Sequence, residues 1–588
     1  MSPFTHVACL GRILVLVGLL GSACAPAAPP AATSAPAKPT EAPKPAAPAS
    51  PAASPAPAAP SASPAAAKPA AGLARDQAIR IPLAEPPTID PGLAEDAVSV
   101  EVIAQIFEGL VTFDDKGTVS GLGAEKWEIS PDGLTYTFTL RQGPKWSDGK
   151  PVTAQDYVWA WKRNVDPKTA SPYANTLFPV KNASAINDGT IEPEDLGVQA
   201  KDDRTLVVTL EKPAAYFLRL ASTWALMPLR QDVIDKSGDK WTEPQNIVTN
   251  GLFRLKEWQH DTQIVLERNE DYWGSKPTLQ RAIYRLFPEG GSDQVLAAYE
   301  SGELDTFGPG ASFEFPPNQV DRIMSDPKLK NEVKIFDQSA TNFISVNTRR
   351  EHLKDPRVRM ALGQALDRPK IINEVLKRPG KPAYTLQPEG IVGRRPEIWP
   401  KADVAAAKQL LAEAGFPDGR GFPEITFTYN TSAQWKPFAE YLQQRWKETL
   451  GLNVKLDSME FAVFLKWRRG DDWTQKGDLF RGGWFSDYED PNNWYNLLWD
   501  SQSDPLAFNL GWKNDRYDAI VRQAAGELDR AKREALYGQA EEILAKEYPA
   551  IPTFHYAIGT LVKPNVQGYD PARVLGLSPL GKVSVTDR

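Results

Sequence analysis

Ala124-Glu-Lys-Trp127, Asp132-Gly133, Thr135-Tyr-Thr-Phe-Thr-Leu140-Arg141, Lys145-Trp-Ser-Asp-Gly149 and Pro151-Val-Thr-Ala154, with Asp156 just beyond, follow one another and decide the fold. Thr135 to Leu140 alternates with a period of two, as a half-buried strand does. Thr153 with Asp156 three residues later is an Asp variant of a capping box. Tyr157, Val158 and Trp161 then recur at helical spacing. A strand leading into a capped helix points to mixed α and β structure.

Outward from this run the alternation continues. Thr205 to Leu210 and Gln263 to Glu267 read as strands. Asp355-Pro356 starts a helix with proline at its first position. Asp403 to Ala414 is an Ala- and Leu-rich helix closed by Gly415 and then Pro417. Tyr517 to about Lys546 is a charge-laced helical region, interrupted near Gly526 to Asp529. No short internal repeat appears, which argues against a solenoid.

The N-terminus reads as targeting rather than fold. Arg12 gives a weak positive start, Ile13 to Leu20 an apolar run, and Gly21-Ser22-Ala23 small residues before Cys24. The run is far shorter than the roughly 20 apolar residues of a spanning helix, so residues 1–23 read as a cleaved signal. Cys24 in this place resembles the lipobox cysteine of bacterial lipoproteins, which is lipidated and becomes the first mature residue. Gly21 stands where a Leu is usual, with Leu20 one step back. The other reading is an ordinary cleavage site with an incidental cysteine. Residues 24–74 are almost entirely Ala, Pro and Ser, with few charges and few apolar side chains to offset the entropy of folding. They read as a disordered, semi-rigid polyproline-like tether.

About 510 residues remain, too many for one ordinary core, so two or three domains are expected. The net charge of -7 argues against nucleic acid as a partner. Of the 2 Cys, Cys9 leaves with the signal and Cys24 takes lipid, so no disulfide is expected in the mature body. The 4 His are scattered, and no HExxH, Cys pair, P-loop or Gly-x-Ser-x-Gly elbow occurs. No metal or cofactor is therefore expected.

Arg481-Gly-Gly-Trp-Phe-Ser-Asp487-Tyr-Glu-Asp-Pro491 carries the chemistry. It sets a cation and an anion six positions apart with Trp484 between them. Extended at about 3.3 Å per residue, their backbones are roughly 20 Å apart. Such a pair suits a zwitterion with an apolar middle, such as a free peptide. The plainer reading is a strand end with an Asp-Pro turn and solvated charges.

The run from Ala124 to Asp156 resembles the signature of the extracytoplasmic solute-binding proteins of family 5, the peptide/nickel-binding receptors of ABC importers. The resemblance continues through Asn250-Gly251, Val265-Leu-Glu-Arg-Asn269, Tyr272-Trp273, Ser301-Gly-Glu-Leu-Asp305, Asp355-Pro-Arg-Val-Arg359, Ala365-Leu-Asp-Arg368 and Leu410-Leu-Ala-Glu-Ala-Gly415. Within the family, the oligopeptide-binding members are most similar. This implies an α/β, two-lobed, periplasmic-binding-protein-like (type II) fold with an extra domain inserted in the first lobe. By analogy, lobe one takes 75–107, 233–339 and 556–588, the inserted domain 108–232, and lobe two 340–555. Trp127, Trp146 and Trp161 then belong to the inserted domain's core rather than to a ligand site.

The implied function is capture of an oligopeptide between closing lobes, with no catalysis, and delivery to the importer's permease subunits and their ATPases. The receptor is expected to be a monomer held at the cell envelope by its lipid, in the periplasm or on the outer face of the cytoplasmic membrane. By resemblance, Asp487 takes the peptide's α-ammonium, Arg481 the carboxylate of shorter peptides and Arg468 that of a longer one. Glu95 and Ala97 match positions that contact the peptide backbone, and Tyr173 lies near them. Trp484 and Phe461 flank a side-chain pocket. Phe461 replaces a tryptophan of the relatives, and Trp435 replaces a histidine. Phe485 and Ala340 occupy the positions of a disulfide pair found in enteric relatives, so that brace is absent. Rival ligands within the fold are an oligosaccharide, which would use aromatic faces, a nickel chelate, haem or an opine. A chaperone-like or signalling role is a further reading. A hydrolase using Asp487 with Glu489 or Asp490 would need facing carboxylates about 5–10 Å apart. Acids on one strand-turn are poorly placed for that.

Overall fold

The computed structural model describes residues 73–587 apart from 115–116, 309–311, 433, 470–474, 503–507, 509, 576 and 579. The expected signal and Cys24 lie outside the described residues, as does the expected tether except for its last two residues. Leu73 bridges Thr586, and the Ala74 amide donates to the Val585 carbonyl at 3.0 Å, so the chain enters the body beside its own C-terminus.

The decisive run forms the elements its pattern implies. Thr135–Leu140 is the second strand of a four-stranded sheet, flanked by Ala124–Ile129 and Thr205–Thr209, with Val198–Asp202 at the far edge. Its alternate residues Tyr136, Phe138 and Leu140 are buried. Asp156 caps the helix Ala154–Val165 by accepting from the Thr153 amide at 2.7 Å. Trp146 and Trp161 are buried in this region, and Trp127 packs against the same core.

A second four-stranded sheet runs Ala78–Leu83, Arg281–Leu286, Gln263–Arg268, Phe253–Gln259. It shares one continuous apolar core with the sheet just described. A third sheet of seven strands has its own core. Its order is Thr306–Phe307, Ala550–Val562, Val333–Val346, Leu479–Phe485, Ile425–Asn430, Val454–Met459, with Gly380–Pro382 added to Ala550–Val562.

Two long antiparallel strands connect these bodies. Val333–Val346 starts against a small core that contains Tyr299, Phe307 and Leu561, and ends with Phe343, Ile344 and Val346 in the core of the seven-stranded sheet. Ala550–Val562 runs the other way, from Ile551 and Phe554 in that core to Leu561 and Val562 outside it. Their pairing slips between Asp337 and Thr341 and again between Asn342 and Phe343. Such irregularities bend and twist a ladder locally.

Candidate functional site

The strand Leu479–Phe485 is antiparallel to Val333–Val346, with Arg481 opposite Ile344 and Phe485 opposite Ala340. Strand alternation puts Phe480, Gly482 and Trp484 on its fully buried face, and Arg481, Gly483 and Phe485 on the other. Trp484 is 2% exposed, donates its indole N–H to Asn493 at 2.8 Å and meets the Phe508 ring edge-on at 6.2 Å. Trp484 is therefore not the surface between the two charges. Gly483 and Phe485 are, and Phe485 lies 4.8 Å from the Tyr556 ring.

Beyond the strand end, Asp487 is half-buried. Asn493 holds it from two sides: its side-chain amide donates to Oδ2 at 3.0 Å, and its oxygen accepts from the Asp487 amide at 3.2 Å. Tyr173 Oη donates to Oδ1 at 3.5 Å. Burial pushes the Asp487 carboxyl up to about 6, against the pull of the Asn493 and Tyr173 hydrogen bonds. Its acidic neighbours are matched with arginines. Glu489 accepts from Arg573 at 2.9 Å, and Asp490 accepts a forked pair from Arg533 at 2.8 and 2.6 Å. Among the described residues, no cation lies within 4.0 Å of Asp487. Of three carboxylates in four positions, it alone lacks a cationic partner.

Arg481 is half-buried with its guanidinium carbon 4.3 Å from the Trp435 ring centroid, and its Nε is enclosed without an acceptor. Burial lowers its pKa from the ordinary value, and the Tyr556 hydroxyl beside it acts the other way. Among the described residues, no carboxylate lies within ion-pair distance of Arg481. A desolvated cation with no counter-charge is costly, and the deficit is met when an anion arrives.

Arg468 is 4% exposed and stacks on Phe508 at 4.2 Å. Phe508 also packs on Phe480 and Trp484, so Arg468 joins the buried face of the strand and not the face of Arg481. Trp435 opens the helix Trp435–Leu450 and is buried under Arg481. Phe461 opens the helix Phe461–Arg469 and packs half-buried on the core of the seven-stranded sheet.

The opposing wall comes from the other body. Tyr173 is buried with its ring 4.8 Å from Trp224, whose indole donates to the Ala94 carbonyl at 3.1 Å. Asp96 caps the helix Ala97–Ile106 by accepting from the Ser99 amide, leaving Ala97 buried at its start and Glu95 exposed just before it. Between the walls lies a cavity of ≈ 280 Å³, lined by Val100 and Ala104 of that helix, by Asp487 and Glu489, and by Arg219 and Arg573. The chain brings Asp487 and Tyr173 into contact across the cleft, and Arg481 onto Trp435. Asn493, Arg219 and Arg573 escape sequence reasoning. Asn493 is a local neighbour, six residues on through the Asp-Pro turn, with no motif to mark it. Arg219 and Arg573 are brought to Asp487 only by the tertiary fold.

Residues 118–505 match the model of the bacterial extracellular solute-binding proteins, family 5 middle region. The chain is 36% identical over 512 residues to the periplasmic oligopeptide-binding protein OppA of Salmonella typhimurium, covering 85% of this chain and 90% of that one. It is 36% identical over 495 residues to the Escherichia coli protein named "Probable deoxycholate-binding periplasmic protein YgiS", covering 83% and 89%. Among solved structures it is similar to the unliganded open form of the murein tripeptide-binding protein MppA. The TM-score there is 0.78 at 33% identity, over 88% of this chain and 99% of that one. The fold is thus mixed α/β of the type II periplasmic-binding-protein kind, as the motif run implies. The chain belongs to the bacterial extracellular solute-binding proteins of family 5.

Proposed function

We propose that the protein is an extracytoplasmic receptor that captures short peptides between its lobes and hands them to an ABC importer. The observation that carries this reading is Asp487, a half-buried carboxylate held by two neutral donors while both acidic neighbours have arginines. An α-ammonium supplies the missing charge. Every unmodified peptide has one, so affinity need not depend on sequence. Arg481, half-buried over Trp435, supplies the complementary cation for the peptide's carboxylate. Guanidinium forks suit carboxylates. Arg468 serves a longer ligand only after leaving Phe508. Tyr173, Glu95 and Ala97 supply the opposite wall, and Phe461 the edge of a side-chain pocket.

Calorimetry with Ala-Ala-Ala and N-acetyl-Ala-Ala-Ala tests the assignment. Removing the ammonium leaves Asp487 buried and unpaired, and affinity should fall at least about a hundredfold, since breaking such a pair costs roughly 3–5 kcal/mol. Equal affinities would refute it.

The deoxycholate-binding name of one relative favours a second reading, a non-peptide carboxylate as ligand. A steroid acid has no ammonium, so this reading predicts binding indifferent to Asp487→Asn. We further propose that Cys24 carries the lipid and that residues 25–72 tether the body to the membrane. Cys24→Ser should move the protein from the membrane fraction to the soluble one, and a variant that stays membrane-bound would exclude the anchor.

A further inference from the structure

The cavity beside Asp487 contains a second charge that the peptide reading does not use. Arg219 lines it and is 8% exposed. Its guanidinium carbon lies 3.7 Å from the Phe113 ring centroid. Among the described residues, no carboxylate comes within 4.0 Å of it. Three acids act on it from further away, Asp490, Glu489 and Asp114. Each is engaged elsewhere: Asp490 by Arg533, Glu489 by Arg573, and Asp114 by the Thr118 amide at 2.7 Å.

The guanidinium is also cradled. Gly117 has φ +75°, and a Cβ there would come within 2.7 Å of an Arg219 nitrogen. Gly117 can approach the guanidinium this closely because it has no side chain. The short helix Phe217–Leu220 that carries Arg219 is fixed against the cleft floor by Tyr216, which stacks on Tyr488 at 6.1 Å. Stacking on an aromatic face leaves the edge of a guanidinium, with its fork of donors, for an anion. The cavity is smaller than the 300–1,000 Å³ or so of drug-sized pockets, which fits one amino-acid side chain rather than a whole ligand.

We propose that Arg219 is a specificity determinant that receives a carboxylate side chain borne close to the ammonium end of the ligand. The cleft then favours peptides with Asp or Glu as first or second residue. This rests on Asp487 taking the α-ammonium. The two groups line one cavity, so a ligand anchored at Asp487 brings its leading side chains to Arg219.

Calorimetry on ligand-stripped protein compares Glu-Ala-Ala with Gln-Ala-Ala, and Ala-Glu-Ala with Ala-Gln-Ala. A charge-assisted fork should make the Glu peptide bind about tenfold more tightly at one of the two positions. Arg219→Gln should bring each pair to within about twofold, since only neutral hydrogen bonding then remains. Arg219→Lys, which keeps the charge and loses the fork, should shrink the preference; it decides the matter should the Gln variant fail to fold. Equal affinities for Glu and Gln peptides in the unaltered protein would overturn the proposal, as would a preference undiminished by either substitution. If Ala-Ala-Ala binds and loses affinity on acetylation while Glu gains nothing, only the role of Arg219 fails. If no free peptide binds, the peptide reading fails with it.

Discussion

At the residue scale, the role proposed for Asp487 makes ligand binding depend on pH. Burial raises its folded-state pKa from 3.8 to about 6. Between those values the folded protein holds a proton that the unfolded chain releases, so this group's contribution to stability falls as pH rises through the window and is constant above it. Asp487→Asn removes a poorly solvated charge. The ligand-free variant should gain about 1 kcal/mol at pH 7.5, after discounting for partial exposure, and nothing near pH 3.5. Thermal melts at the two pH values check this, and a loss of stability at pH 7.5 would contradict it. Only the ionised carboxylate receives an ammonium, so affinity for Ala-Ala-Ala should decline below about pH 6, by up to about tenfold per unit. A flat profile between pH 7.5 and 5 would show that another group binds the amine. Arg481 and Asp487 stand out in the sequence because each matches a place in the family's motif. Their surroundings do not. The Trp435 platform and the arginines beside Glu489 and Asp490 come from positions far apart in the chain, and the Asn493 clasp, though only six residues away, depends on how the turn folds back. No local periodicity records those contacts.

At the element scale, the strand Leu479–Phe485 explains why two adjacent glycines differ. A Cβ at Gly482 would come within 2.5 Å of the Phe343 ring, on the buried face. One at Gly483 would meet its nearest atoms at 3.6 Å, an ordinary contact. Gly482→Ala should therefore cost about 1–3 kcal/mol by overpacking, and Gly483→Ala clearly less. Equilibrium denaturation of the two variants measures the difference, and equal losses would mean that the strand shifts to absorb both. Elements with local signals were readable. Asp355, Asp403 and the Thr153–Asp156 pair all start helices. The break expected near Gly526 to Asp529 separates helices Asp515–Gly526 and Arg530–Glu547. Trp484 stands between the two charges in sequence but not in space, because spacing along a strand gives distance between charges, whereas alternation decides which side chains share a surface.

At the scale of the whole molecule, we propose that closure bends the paired strands Val333–Val346 and Ala550–Val562. They run between the core of the seven-stranded sheet and the small core beside the other sheets, with Val562 reaching the large core there, and their register slips on the way. Ligand then acts by differential affinity, favouring the arrangement in which both walls touch it. The overall architecture was legible through the ordered motifs from Ala124 to Gly415. The strand crossings were not, since pairing over some two hundred residues leaves no trace in composition. The most direct test is a crystal structure of the protein grown with Ala-Ala-Ala. Closed lobes are expected, with an Asp487 carboxylate oxygen about 2.7–2.9 Å from the peptide's α-nitrogen, as charge-assisted bonds are. A bound peptide whose amine is received elsewhere, with Asp487 still held only by Asn493 and Tyr173, would contradict the role proposed for Asp487.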